Sequence, residues 1–380
     1  MYQNHYKYPY LNGAKSAPGQ ILMGVLSISS AFLILTLPAI IHSSGSKLLA
    51  QEVVSQDLDA AMAFQQGVTF YNRKDFQDSE MAFRKALDRD PNIGIARNYL
   101  GNILLEQNRL DLAIQEYGEA IRLNPNLGEA YYNLGVALQR QGQKEAAITA
   151  YRQALVVTPT LANAHYNLGV LFYEQEQRQD AIAAYQQAIN LDRNHKNAYF
   201  NLAIVQQQEG QIDPAISAYR EVLKIDPENT VAYNNLGSLL VIQGKINEAI
   251  TVYKEAIRQN PKNALAYYNL GVTLYNQGAF KESAQALGLA RRQYTTQGNT
   301  EQLAKTEQLI QQVAQALAPK KSPVNPPGSA TAITTPPVEQ APANTTPVEQ
   351  APANTTPVEE TSGNTPTFGK STLPDLTPKK

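Results

Sequence analysis

The chain has no cysteine in its 380 residues. That absence excludes disulfides, thiol catalysis, thiolate metal sites and acylation at an N-terminal cysteine. It leaves the redox compartment open, since an oxidising location does not require disulfides. An excess of charge of one sign is also missing: 32 basic residues face 33 acidic ones, a formal net charge of −1, so nothing draws the chain toward nucleic acid. No phosphate loop, paired-carboxylate motif, nucleophile elbow or metal-ligand spacing occurs. The four histidines (His5, His42, His165 and His195) are unclustered. No catalytic residue, metal ligand or cofactor is therefore expected.

What is present is a period of 34 residues. Gly101, Gly135, Gly169, Gly237 and Gly271 fall in register, each preceded by leucine. Tyr117, Tyr151, Tyr185, Tyr219 and Tyr253 keep the same step, and Pro91, Pro125, Pro159, Pro227 and Pro261 close their units. Each unit is numbered so that its glycine is position 8, giving seven units from Ala60 to Gln297. Positions 4, 7, 8 and 11 follow helical spacing and form one buried stripe; positions 20, 24 and 27 form a second stripe on a second helix. Small residues at 8, 20 and 27 let the two helices approach, and bulky ones fill the gap. Gly142, Gly210, Gly244 and Gly278 stand between the helices, where a left-handed residue suits the reversal. A fixed period of this length signals a repeat architecture, and one hairpin cannot bury its faces without a neighbour.

On these residues the chain resembles the tetratricopeptide repeat (TPR) proteins. The resemblance covers about three-fifths of the chain and implies an all-α fold: a right-handed α-solenoid of seven TPR hairpins plus a C-terminal capping helix. Some units depart from the pattern. The first has Gln66 and Ser79 in place of leucine and alanine, and the fourth has Arg193 in place of proline. The fifth has Ala203 for the glycine and Gln206 at apolar position 11. The seventh has Ser283 and Leu287 for the alanine and the aromatic. None breaks the register.

Outside the repeats, residues 1–20 are polar, tyrosine-rich and basic. Residues 21–41 run uncharged and mostly apolar, and as a helix would span roughly 31 Å, about one hydrocarbon core. Two readings compete for this run, an uncleaved anchor or a secretory signal cleaved near Ser44 to Ser46, with a buried helix as a third. Either of the first two exports the repeats, and the positive N-terminal flank puts residues 1–20 on the cytoplasmic side. The expected localisation is a single-pass membrane protein with extracytoplasmic repeats, or a soluble exported one after cleavage. Residues 42–59 read as a connector and 298–318 as a capping helix opened by Asn299. Residues 319–380 read as a proline-rich tail with too few large apolar side chains to offset ordering.

Position 6 reads Asn133, Asn167, Asn201, Asn235 and Asn269 in five consecutive units. Asparagine is a poor helix-interior residue, so the file calls for a reason. Counted at about 100° per residue from the buried stripe, position 6 lies with positions 2, 9 and 13 on the inner wall. An amide offers an acceptor and two donors, and so matches both groups of a peptide unit. The file resembles the asparagine ladders of the O-linked N-acetylglucosamine transferase repeat arm and of importin-type solenoids. It implies capture of a protein or extended peptide by its backbone. Inherited structural bonding between neighbours is the alternative. Tyr132, Tyr166, Phe200 and Tyr268 flank the file at position 5, and core packing is their favoured role. The basic residues at positions 2, 5 and 6 that make a carboxylate clamp for chaperone tails are missing. The expected function is thus a non-enzymatic, membrane-anchored scaffold that holds polypeptides in its groove and assists assembly of a membrane or envelope complex. A spacer whose tail makes the contact, or an accessory subunit of a separate enzyme, are the rivals.

Overall fold

A computed structural model describes residues 54–318, and within them the chain is fifteen helices with no strand. They run α1 Leu58–Asn72, α2 Phe76–Arg89, α3 Gly94–Glu106, α4 Leu110–Leu123, α5 Gly128–Arg140, α6 Lys144–Val157, α7 Ala162–Glu174, α8 Arg178–Leu191, α9 Lys196–Gln208, α10 Ile212–Ile225, α11 Thr230–Ile242, α12 Ile246–Gln259, α13 Ala264–Asn276, α14 Phe280–Gln297 and α15 Thr300–Leu317. Paired in order, α1 to α14 are seven hairpins stacked as an α-solenoid, and α15 follows the last. The first helix begins at Leu58, two residues inside the stretch read as connector. Asp57 sets that start, its carboxylate accepting from the Ala60 N–H at 3.0 Å.

Every hairpin turns the same way. The position-15 residue takes a left-handed conformation, at φ +83° in Gly142 and +71° in Gly210. Its N–H bonds the position-12 carbonyl and the next N–H bonds the position-11 carbonyl, as in Gly142 to Gln139 (2.9 Å) and Gln143 to Leu138 (2.9 Å). These two bonds satisfy carbonyls that the helix end leaves open. Three units do this without glycine: Lys74, Asn108 and Glu176 sit at φ 64°, 56° and 60°. The turn is imposed by the two helices it joins, and glycine only lowers its cost.

Inside a hairpin, position 8 meets the position-24 ring. A Cβ built on Gly135 would lie 2.6 Å from Tyr151, and on Gly169 2.7 Å from Tyr185. The absence of a side chain lets the ring lie flat on the first helix, and both tyrosines are all but fully buried. Core contacts then cross to the next hairpin, where Tyr151 shares a cluster with Leu168 and Leu171. Burying a side chain of this size contributes about 1.5–3 kcal/mol.

The departures have local accounts. Ser79 and Ser283 each donate from Oγ to the carbonyl of the position-8 glycine, Gly67 at 2.8 Å and Gly271 at 2.7 Å, so a hydroxyl is satisfied where others carry a methyl. Leu287 fills the ring position fully buried. Without proline at Arg193, the turn is held by the Asn194 N–H donating to the Asp192 carboxylate at 2.9 Å. Gln66 is exposed because no unit stacks on α1 among the described residues.

The membrane placement expected from residues 21–41 requires correction. Among the described residues no helix is long and apolar enough to cross a membrane. The two 18-residue helices are amphipathic: α14 carries Lys281, Glu282, Arg291 and Arg292, and α15 carries Glu301, Lys305 and Glu307. The 21–41 run, the 1–20 segment and the 319–380 tail lie outside the described residues, and the single-pass localisation is set aside.

Candidate peptide-binding face

The first helix of each unit positions the asparagine file, one residue per repeat at the same helical phase. Asn133, Asn167, Asn235 and Asn269 are buried at 4%, 8%, 2% and 0% exposure, and Asn201 is half-buried. In four of the five the amide nitrogen donates to the preceding repeat. Asn167 Nδ2 donates to the Tyr151 hydroxyl at 3.1 Å, Asn235 Nδ2 to the Tyr219 hydroxyl at 3.1 Å, and Asn201 Nδ2 to the Tyr166 hydroxyl at 3.2 Å. Asn133 Nδ2 donates instead to Asn102 Oδ1 at 2.9 Å and Asn98 Oδ1 at 3.2 Å.

The tyrosine hydroxyls pass the bond on within their own unit. Tyr151 donates to Gln139 Oε1 at 2.8 Å, and Tyr117 to Asn102 Oδ1 at 2.8 Å. The result is a polar relay that joins neighbouring repeats beneath the inner wall. Burial holds the phenols in their protonated, donating form: Tyr132 and Tyr166 are each pushed up to about 12.

The amide oxygens differ from the amide nitrogens. Oδ1 of Asn133, Asn167 and Asn201 accepts no bond from the described residues, and none of the three is among the sealed, partnerless atoms. These oxygens are thus not fully sealed, although Asn133 and Asn167 are only 4% and 8% exposed and Asn201 is half-buried. Three of the five asparagines thus combine an engaged amide N–H with an oxygen that accepts nothing from the described residues.

Of the flanking aromatics, Tyr132, Tyr166 and Tyr268 are buried at 5%, 1% and 5%. Phe200 is half-buried and meets the Tyr219 ring edge-on, with centroids 5.8 Å apart. At the N-terminal side of the file, Glu129 is half-buried and burial alone raises its carboxyl above the usual range. Glu106 and Glu129 both bear on the Tyr71 hydroxyl, which is pushed up to about 12, chiefly by burial, with Asn102 pulling the other way. This acidic edge was not singled out in the sequence, because glutamates at positions 13 and 2 look like ordinary solvated helix residues. Among the described residues no group of three or more His, Asp and Glu is placed to hold a metal ion.

No curated protein matches the chain. A crystal structure of MamA is similar, with 30% identity over 43% of this chain and 96% of that one at a TM-score of 0.40. YrrB, described as a TPR protein with an unusual peptide-binding site, shares 26% identity over 49% of this chain and 95% of its own, at a TM-score of 0.43. PilF of Pseudomonas aeruginosa shares 21% over 54% and 93%, at 0.48. Residues 52–309 match the family model described as the cilia and flagella-associated protein 70 C-terminal domain. With seven hairpins in one register and that match across most of its length, the chain belongs to this family of tetratricopeptide-repeat proteins.

Proposed function

We propose that this chain is a non-enzymatic scaffold whose first-helix wall takes up an extended polypeptide segment rich in hydrogen-bond donors. The TPR fold is that of a protein-binding adaptor; the finer reading rests on the row of amide oxygens at Asn133, Asn167 and Asn201. Oxygens repeating along the array match the N–H groups of a strand that has no partner of its own. An amide N–H stays engaged with tyrosine in Asn167 and Asn201 and with Asn98 and Asn102 in Asn133, so the wall favours a guest that brings N–H groups. Glu129 favours a lysine or arginine near one end of that guest, because an unpaired half-buried carboxylate gains from a cation, and the exposed Glu106 adds negative charge.

The test is fluorescence anisotropy with a panel of labelled unstructured peptides differing only in Lys and Arg content. The expected order of affinity follows basic content. Asn167→Ala with Asn201→Ala removes two bonds of about 1 kcal/mol each and weakens binding by roughly thirtyfold. Glu129→Gln abolishes the preference for basic peptides. Equal affinity of the parent and the double variant for every peptide, with both folded by circular dichroism, would overturn the reading.

A further inference from the structure

Along one face of α1, Met62, Gln65, Gln66, Thr69, Phe70 and Arg73 line a hollow of about 370 Å³. Three of these stand at positions that every later unit buries. In those six units position 3 is alanine with no exposure, position 7 is leucine at 7% or less, and position 10 is at 1% or less. In the first unit Met62, Gln66 and Thr69 hold the same positions exposed, and Leu58, one turn before Met62, is 69% exposed. The other end of the described array has no such face. There α15 seats Leu309 and Val313 inward and turns Lys305, Glu307 and Gln308 outward.

We propose that this face pairs with the same face of a second copy of the chain, α1 against α1, antiparallel about a twofold axis. Head-to-tail stacking would need a matching surface at the α15 end, and that end presents charged and amide side chains. A face with no counterpart among the described residues is left to meet its own copy, which closes as a dimer. The order of residues along α1 suits this pairing. With the axis between Gln65 and Gln66, Met62 faces the partner's Thr69 and Gln65 faces the partner's Gln66, while Leu58 lies under the aliphatic stem of the partner's Arg73. The central amides can bond one another, since each supplies a donor and an acceptor. Charge is complementary as well. Asp57 stands before the first turn of α1 and Lys74 follows its last, so each end sets Asp57 against the partner's Lys74. A parallel pairing would set like charges together at both ends. A single helix a side covers less than the ~800 Å² a side of a tight complex, so the dimer forms and dissociates with concentration.

In sedimentation equilibrium the full chain is expected to pass from the mass of one copy to that of two as concentration rises, and Met62→Asp holds it at one. Lys74→Glu replaces two opposite-charge pairs by two like-charge pairs and weakens the dimer roughly tenfold. Because the chain has no cysteine, an introduced thiol is unique. Under mild oxidation Gln66→Cys, beside the axis, gives a covalent dimer. Leu58→Cys does not, because its two copies lie about 22 Å apart along the antiparallel helices. Circular dichroism melting confirms that every variant keeps its repeats folded. Three results overturn the proposal: a dimer that Met62→Asp or Lys74→Glu leaves unchanged, cross-linking of Leu58→Cys equal to that of Gln66→Cys, and the mass of one copy at every concentration. In the last case maleimide labelling of Gln66→Cys tells a bare face from one covered by the same chain.

Discussion

At the residue scale the repeat is enforced by volume. Position 8 is glycine because a ring lies where its Cβ would be, and position 20 is small because its side chain meets the carbonyl of that glycine, as Ser79 and Ser283 show. Position 15 is enforced by backbone shape, and there the chain is not optimal. Glu176 holds φ 60° with no glycine to relieve it, while Gly210 takes the same place one unit later at φ 71°. A non-glycine residue in this region costs about 1–2 kcal/mol, part of which glycine loses again through the greater freedom of its unfolded chain. Glu176→Gly is expected to raise stability by about 0.5–1 kcal/mol in urea denaturation. No gain would mean that the side chain holds the turn by contacts of its own.

At the element scale the helix starts differ in chemistry. Asn229 and Asn263 cap α11 and α13 by accepting from the Ala232 and Ala266 N–H groups, both at 3.0 Å. His195 does the same for α9 through Nδ1, accepting from the Ala198 N–H at 3.2 Å. Its ring lies on Tyr166 with centroids 4.7 Å apart, and its Nε2 is sealed without a partner. Capping through Nδ1 needs the neutral ring, and a positive charge there would oppose the helix dipole. Burial lowers the pKa below the ordinary 6.5, with Asp192 pulling the other way. The unfolded chain thus takes up the proton first as pH falls. The stabilisation is complete above about pH 6.5 and is lost as pH drops through the folded value. His195→Asn keeps an acceptor at the cap and removes the titration. Between pH 7.5 and 5.5 the parent should lose protection of α9 amides in hydrogen exchange, and the variant should lose less. Identical losses would place the acid sensitivity elsewhere, His165 being the next group lowered by burial.

At the scale of the whole array, each hairpin contacts its neighbours and little else, so stability is a sum of units and seams. A defect should therefore stay local. Leu309→Ala in α15 removes a side chain that is 2% exposed and packs in one cluster with Tyr268, Val272 and Tyr294. The expected loss is about 2–4 kcal/mol, confined to α13, α14 and α15 in hydrogen exchange, with α1 to α4 unchanged. Uniform loss along the chain would show that the array unfolds as one block. The same locality explains how Ala203 and Gln206 persist in the fifth unit: Tyr219 remains fully buried there, while Gln206 leaves its Oε1 sealed and unpaired.

The period, the seven hairpins, the four glycine turns and the closing helix were legible in the sequence, because each depends on residue volume and backbone preference at a fixed offset; the left-handed turns at Lys74, Asn108 and Glu176 were not. Sequence also placed the five asparagines on one helical phase. It did not reveal that an amide N–H of Asn133, Asn167, Asn201 and Asn235 is engaged by the preceding repeat. For Asn167 and Asn235 that depends on the position-24 hydroxyl of the preceding repeat reaching the same seam, and for Asn201 on the position-5 hydroxyl of Tyr166, contacts between repeats that helical phase alone does not show. The fate of Ser79 and Ser283 and the half-burial of Glu129 were hidden for the same reason. Local spacing determines which side chains share a face; only stacking decides which of their polar atoms are left over, because hydrogen bonds are satisfied across seams that no single unit contains.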